Sequence, residues 1–490
     1  MAFPRLAAAL PPLLLALTLS SPPATAQKIG TTIPEVHPKL ETQICTTAGG
    51  CVTQQTKLVT DSLSRPFHDV NNMAVPCATM PLNATLCPDA ATCAQNCVLE
   101  GVEYSSLGVM TKNSALTLRQ YLFDGSAFSS VSPRLYLLAE DDMNYEPLKL
   151  LNQELSFDVD VSQLGCGMNG ALYLSEMDMS GSRSELNPAG AQYGTGYCDA
   201  QCFTTPPFIN GLANLNNSGS CCNEMDIWEA NSQATVYTPH TCSGVGSFLC
   251  AGDECNKTVG VCDKDGCGIN SFGLGAKEFY GPGLTIDTTR PFTVVTQFLT
   301  SDNTSTGDLV EIRRLYVQNG KIIPNTAETT NTAVQNLAGG FEGTITQDYC
   351  AARNAKDFTR LGGLKGMGGS LARGMVLIFS IWNSPGDFMS WLDGGNNGPC
   401  NATAGDPAQI VATQPDVSVT FSNIKWGDIG STFKAEGPAG SAVASETVEK
   451  GVNNALAAQS GAGSERAMMA GSLTMSVVVG LAVLLGAFLS

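Results

Sequence analysis

Leu155-Ser156-Phe157-Asp158-Val159-Asp160-Val161-Ser162 alternates apolar and polar side chains along its whole length. Successive side chains on a strand point to opposite faces, so one face here is oily and the other carries hydroxyls and carboxylates. Working outward, shorter apolar runs at 135–138, 171–174, 292–299, 375–381 and 417–421 have the same strand character. Gly- and Asn-rich turns separate them, and helical periodicity is scarce. Many short strands joined by such turns predict an all-β fold, a sandwich or jelly roll. No boundary or repeat interrupts residues 27–432.

Composition narrows the function. The chain has 490 residues and a net charge of −18, from 26 basic and 44 acidic side chains. So few bases make a poor nucleic-acid binder, because phosphate contacts need clustered Lys and Arg. Three histidines, His37, His68 and His240, cannot furnish a multi-His metal centre. No CxxC pair, GxGxxG or GxxxxGK[ST] occurs, so no metal and no nucleotide cofactor is expected. An apolar content of 43% supplies a core.

The ends carry address signals. Residues 1–26 read as a secretory signal: Arg5, an apolar run from Leu6 to Leu19, then Ala24-Thr25-Ala26 as a cleavage site. An uncleaved anchor is the alternative, and Pro11, Pro12, Pro22 and Pro23 speak against it. Residues 433–460 are rich in Ala, Gly and Ser and read as a spacer. In 461–490, small residues at Ser460-Gly461-Ala462 precede a ten-residue stretch and an apolar tail from Leu473 to Ser490. That is the pattern of a GPI-attachment signal. A transmembrane helix is the alternative, but no basic residue follows the tail. Either way the chain is expected to be secreted and held at the outer face of the plasma membrane or cell wall.

All 18 cysteines lie between Cys45 and Cys400. Secretion with an even count implies disulfides throughout. Sequons at Asn83, Asn216, Asn256, Asn303 and Asn401 agree with that route.

One segment concentrates chemistry: Cys221-Cys222-Asn223-Glu224-Met225-Asp226-Ile227-Trp228-Glu229-Ala230-Asn231. On a strand, Glu224 and Asp226 share a face while Met225 and Ile227 face the core. Glu229 has the wrong parity to join them, unless a β-bulge near Ile227–Trp228 inserts one residue. Three like charges on one strand face are poor for stability. Paired carboxylates are what glycoside hydrolysis requires, one to attack the anomeric carbon and one to protonate the leaving oxygen. Asp226 between them could hydrogen-bond one Glu and split their pKa values. A calcium site or an acidic surface strand are the alternatives on spacing alone. Calcium loops favour Gly and Asn between ligands, not Ile and Trp.

This run, followed by Thr238-Pro239-His240, strongly resembles glycoside hydrolase family seven, the secreted cellulases of fungi and other eukaryotic microbes. The likeness spans roughly residues 33–432. It includes Gly194-Thr195-Gly196-Tyr197-Cys198-Asp199, Phe279-Tyr280-Gly281-Pro282-Gly283 and Phe421-Ser422-Asn423-Ile424. The resemblance implies a curved, concanavalin-like β-sandwich jelly roll and retaining hydrolysis of β-1,4-glucan. It implies Glu224 as nucleophile, Glu229 as acid/base, Asp226 as the carboxylate that orients the nucleophile, and His240 beside the acid/base. It implies substrate contacts from Asn169, Tyr173, Tyr197, Asp199 and Gln201, and sugar stacking on Trp382 and Trp391. Trp228 and Trp426 are left to the core. The implied disulfides are Cys45–Cys51, Cys77–Cys97, Cys87–Cys93, Cys166–Cys400, Cys198–Cys222, Cys202–Cys221, Cys242–Cys262, Cys250–Cys255 and Cys267–Cys350.

Within that family the loops decide between a tunnel and an open cleft. Ten residues separate Asn210 from Cys221, and six separate Cys255 from Cys262. With the short connection from Trp391 to Cys400, these resemble the open endoglucanase form. Asn397 stands where tunnel enzymes carry an arginine. Ser64 and Pro66 stand where family members commonly carry tryptophan platforms. The expected function is therefore a surface-anchored endo-β-1,4-glucanase, a monomer acting on β-glucan. A cellobiohydrolase, a cell-wall glucan transglycosylase and a non-catalytic wall-binding protein are the competing readings.

Overall fold

In the computed structural model, which describes residues 28–434 apart from Thr205, the alternating segment as far as Asp160 lies in a strand from Gln153 to Asp160, with Val161 and Ser162 just past its end. Leu155, Phe157 and Val159 are fully buried, as their spacing predicts. Ser156 is buried too, because the final described segment passes over the outer face and Thr432 offers its carbonyl to Ser156 Oγ.

The strands of the two principal sheets are, in chain order, β1 (Thr42–Thr46), β2 (Gly50–Gln54), β3 (Lys57–Thr60), β4 (Arg134–Leu138), β5 (Gln153–Asp160), β6 (Asn169–Ser175), β7 (Glu224–Ala230), β8 (Thr235–His240), β9 (Ile269–Asn270), β10 (Phe292–Thr300), β11 (Leu309–Gln318), β12 (Lys321–Pro324), β13 (Met375–Trp382) and β14 (Ser418–Asp428). An eight-stranded sheet runs β9-β8-β7-β6-β13-β4-β3, with Pro147–Leu148 beside β13. A ten-stranded sheet runs β12-β11-β10-β5-β14-β1-β2, with three short strands attached. Pairing is antiparallel except between β1 and β14. This is the expected β-sandwich jelly roll.

The main core lies between the sheets. Leu155 and Phe157 from β5, Val294 and Phe298 from β10, and Phe421 from β14 meet Leu172, Leu174, Met225, Trp228, Leu377 and Phe379 from the smaller sheet. Apart from an irregularity in β7, these strands place every second side chain inward, and the intervening residues form the opposite face. On the eight-stranded sheet that opposite face carries Arg134, Ala171, Tyr173, Thr238, His240 and Ser380, and it floors a cleft of about 1140 Å³.

All nine implied disulfides are formed with the implied partners. The packed unit ends at Phe433, one residue past the expected boundary. The signal expected at 1–26, the spacer beyond Lys434 and the anchor at 461–490 lie outside the described residues. Among the described residues, no helix is long and apolar enough to cross a membrane.

Candidate active site

β7 carries the carboxylates, and its register with both neighbours slips by one residue. Against β6, Met225 faces Leu174 while Trp228 faces Leu172, so three steps on β7 oppose two on β6. Against β8, Asp226 faces Thr238 while Glu229 faces Val236, again three against two. This is the β-bulge that parity demanded. Ile227 and Trp228 consequently both enter the core, and Glu224, Asp226 and Glu229 all line the cleft.

Each carboxylate is held by a different device. Glu224 Oε2 accepts the Ala200 N–H at 3.1 Å. That N–H lies in the segment 198–202, which the Cys198–Cys222 and Cys202–Cys221 bridges staple to the residues preceding Glu224. Glu229 Oε1 accepts from Asn169 Nδ2 at 2.8 Å, and Asn169 Oδ1 accepts the Ala230 N–H at 3.1 Å. Asp226 Oδ2 faces His240 Nε2 at 3.1 Å. His240 Nδ1 lies 2.9 Å from the Asp263 carbonyl. Both partners of the ring are acceptors, so both nitrogens carry protons and His240 is an imidazolium.

Asp226 thus pairs with His240, a contact that sequence reasoning did not foresee. His240 stands opposite Glu224 across β7 and β8, lines the cleft, and also acts electrostatically on Glu229. Asn169 is relocated. It is fully buried with both amide atoms committed to β7, so it positions Glu229 instead of touching sugar.

Burial dominates the electrostatics. It pushes the Glu229 carboxyl up to about 8, helped by the charge of Asp226 and opposed by the Asn169 hydrogen bond and His240. Burial, then Asp226 and Asp199, also carries Glu224 well above the usual carboxylate range, against His240 and the Ala200 N–H. Burial lowers the His240 pKa, but Asp226, Glu224 and Asp263 outweigh it and lift the imidazole to about 10. Glu224 and Glu229 therefore hold a proton at pH values where a solvated carboxyl has lost it.

The flanking wall is polar and linked. Tyr173 and Tyr197 share a hydrogen bond of 3.1 Å, and Tyr197 donates to Asp199 Oδ2 at 2.8 Å. Arg134 lies 3.5 Å from the centre of the Tyr197 ring and donates to Asp61. Asp199 Oδ1 is buried without a hydrogen-bond partner among the described residues. Gln201 lines the cleft and exchanges hydrogen bonds with Lys264. Trp382 and Trp391 stack at 6.2 Å on the cleft wall, while Trp228 and Trp426 are core residues. Ser64 and Asn397 line the wall as well. The Ala200 N–H, Arg134 and Lys264 were missed by sequence reasoning. A backbone donor has no sequence signal, and the two cations come from segments distant in the chain.

The chemistry so assembled, two buried carboxyls and the half-buried Glu229 in an aromatic-walled cleft, has close parallels. The sequence model described as "Glycosyl hydrolase family 7" matches residues 29–433. A protein of Aspergillus terreus named "Probable endo-beta-1,4-glucanase celB" is 58% identical over 428 residues, covering 87% of this chain and 99% of its own. The native structure of the Humicola insolens endocellulase EGI superposes with a TM-score of 0.78 at 46% identity, covering 83% of this chain and all of that one. A family 7 cellobiohydrolase of Daphnia pulex superposes with a TM-score of 0.76 at 36% identity, over 83% of this chain and all of its own. With match, fold and bulged strand in agreement, the chain is a glycoside hydrolase and belongs to glycosyl hydrolase family 7.

Proposed function

We propose that the chain is an endo-acting β-1,4-glucanase that cleaves cellulose or a related β-glucan with retention of configuration. The observation that carries this reading is the bulge in β7, which delivers Glu224, Asp226 and Glu229 to one cleft face. Glu224 attacks the anomeric carbon as the glycosidic C–O bond breaks, and Glu229 gives its proton to the leaving oxygen. Glu229 then takes a proton from water, the water oxygen bonds the anomeric carbon, and Glu224 is released. Asp226, paired with His240, stands between them on the strand. The indole faces of Trp382 and Trp391 meet the axial C–H groups of pyranose rings, and Asp199 and Gln201 meet the hydroxyls.

The short loops favour internal cleavage over tunnel threading, as do the printed names of the fungal relatives. Product profiles on carboxymethylcellulose test this. Random mid-chain cuts, with viscosity falling well ahead of reducing ends, are expected. Near-exclusive cellobiose release would overturn it.

The reading extends to location: cleavage after residue 26, a catalytic domain at 27–432, a spacer at 433–460 and a lipid anchor attached near 461. The disulfides and the exposure of Asn216, Asn256, Asn303 and Asn401 support a secretory route. Release of activity from intact cells by a phosphatidylinositol-specific phospholipase is expected. Retention after that treatment would reject the lipid anchor.

A further inference from the structure

Ile227 is the residue of β7 that pairs with neither neighbouring strand: the register skips it on the β6 side and again on the β8 side. Its carbonyl is met from the opposite sheet. Arg314 on β11 donates an Nη2 proton to Ile227 O, and its Nε donates to Thr296 Oγ1 at 3.2 Å. The guanidinium lies 4.3 Å from the centre of the Tyr237 ring and 5.9 Å from those of Trp228 and Tyr316.

This cation is only 1% exposed. Among the described residues it has no ion-pair partner, whereas its neighbour Arg313 pairs with Glu311. Its Nη1 has no hydrogen-bond partner. A buried charge without a counter-ion is costly, and an apolar side chain of similar size would serve packing better. What an apolar side chain could not do is satisfy the carbonyl that the bulge leaves over. An orphaned carbonyl in the core would drive the strand to shift its bulge, and a one-residue shift turns the next side chain to the other face.

We propose that Arg314 is a positioning residue for hydrolysis: through the Ile227 carbonyl it clamps the bulge that turns Glu229 onto the cleft face beside Glu224. The inference rests on Glu229 being the acid/base, and the test separates the two claims.

Arg314→Lys keeps the charge but loses the fork that reaches Thr296 and Ile227 together. Its kcat on a soluble β-glucan is expected to fall on the order of 10²-fold, the scale set by a misplacement of about 1 Å, with KM little changed. A dinitrophenyl cellobioside has a leaving group that needs no proton. Its kcat/KM is expected to fall less than about tenfold, because only the acid's contribution is lost. Azide attacks the anomeric carbon without a base and releases Glu224, so it should raise kcat on that substrate and yield the β-azide. Glu229→Ala is the control. If Glu229→Ala lacks this signature, the acid/base assignment fails. If Glu229→Ala shows it and Arg314→Lys instead loses both substrates in parallel without azide rescue, or keeps wild-type kcat on glucan, the positioning role is overturned. Should Arg314→Lys not fold, Thr296→Val removes the Nε acceptor alone. The same signature in weaker form is expected, and wild-type kinetics would overturn the proposal.

Discussion

Glu229 is a carboxyl that folding prefers to keep protonated, and this has two consequences at the scale of a single residue. As the acid, it must hold a proton in the free enzyme, so kcat/KM is expected to decline along an alkaline limb near pH 8, where its raised pKa lies. A pH profile checks this, and activity still rising above pH 8 would reject the assignment. Stability follows the same proton. The unfolded chain releases it near the ordinary value of 4.5 and the folded chain near 8, so stability is lost as pH rises across that window. Glu229→Gln is therefore expected to stabilise by about 1–2 kcal/mol at pH 8. The gain should vanish near pH 4.5. Activity on glucan should drop about 10²- to 10⁴-fold. Thermal melts at the two pH values decide: equal gains at both would mean the effect is packing, not titration. At this scale much was legible. The parity of Glu224, Asp226 and Glu229 demanded a bulge, and the bulge is there. The partners were not legible, because Ala200, His240 and Asn169 reach β7 through pairing and crosslinks that a linear pattern does not encode.

At the scale of elements, the support for β7 is covalent on one side and cationic on the other. The bridges Cys198–Cys222 and Cys202–Cys221 hold the segment that gives its N–H to Glu224. Replacing Cys198 and Cys222 together by Ser is expected to cost about 2–4 kcal/mol of stability. It should also lower kcat/KM at temperatures where the variant is still folded. A lower Tm with unchanged kcat/KM would make the bridge structural only. Strands were readable because period-two alternation survives burial on one face. The helix Gly363–Arg373 was not. Four of its residues are glycine, a poor helix former, and its Leu364, Met367 and Leu371 give only a sparse apolar stripe. Close packing explains the composition: a Cβ at Gly368 would sit 2.8 Å from Leu309 Cβ.

At the scale of the whole molecule, two sheets sandwich one core and leave the outer face of the smaller sheet for substrate. The negative charge suits a neutral polysaccharide, and of its many carboxylates six line the cleft, three of them on β7. Architecture and disulfide pairing were both accessible from family likeness, and the short connections Asn210–Cys221, Cys255–Cys262 and Trp391–Cys400 were visible as spacings. The central claim is that Glu224 forms a covalent bond to the sugar. It is tested most directly by treating the protein with an activated 2-deoxy-2-fluoro-cellobioside, which forms the intermediate and hydrolyses it slowly. Peptide mapping by mass spectrometry should then find one fluorocellobiosyl group, on Glu224. A label on Glu229 or any other residue, or unlabelled protein that still turns over glucan, would contradict the account.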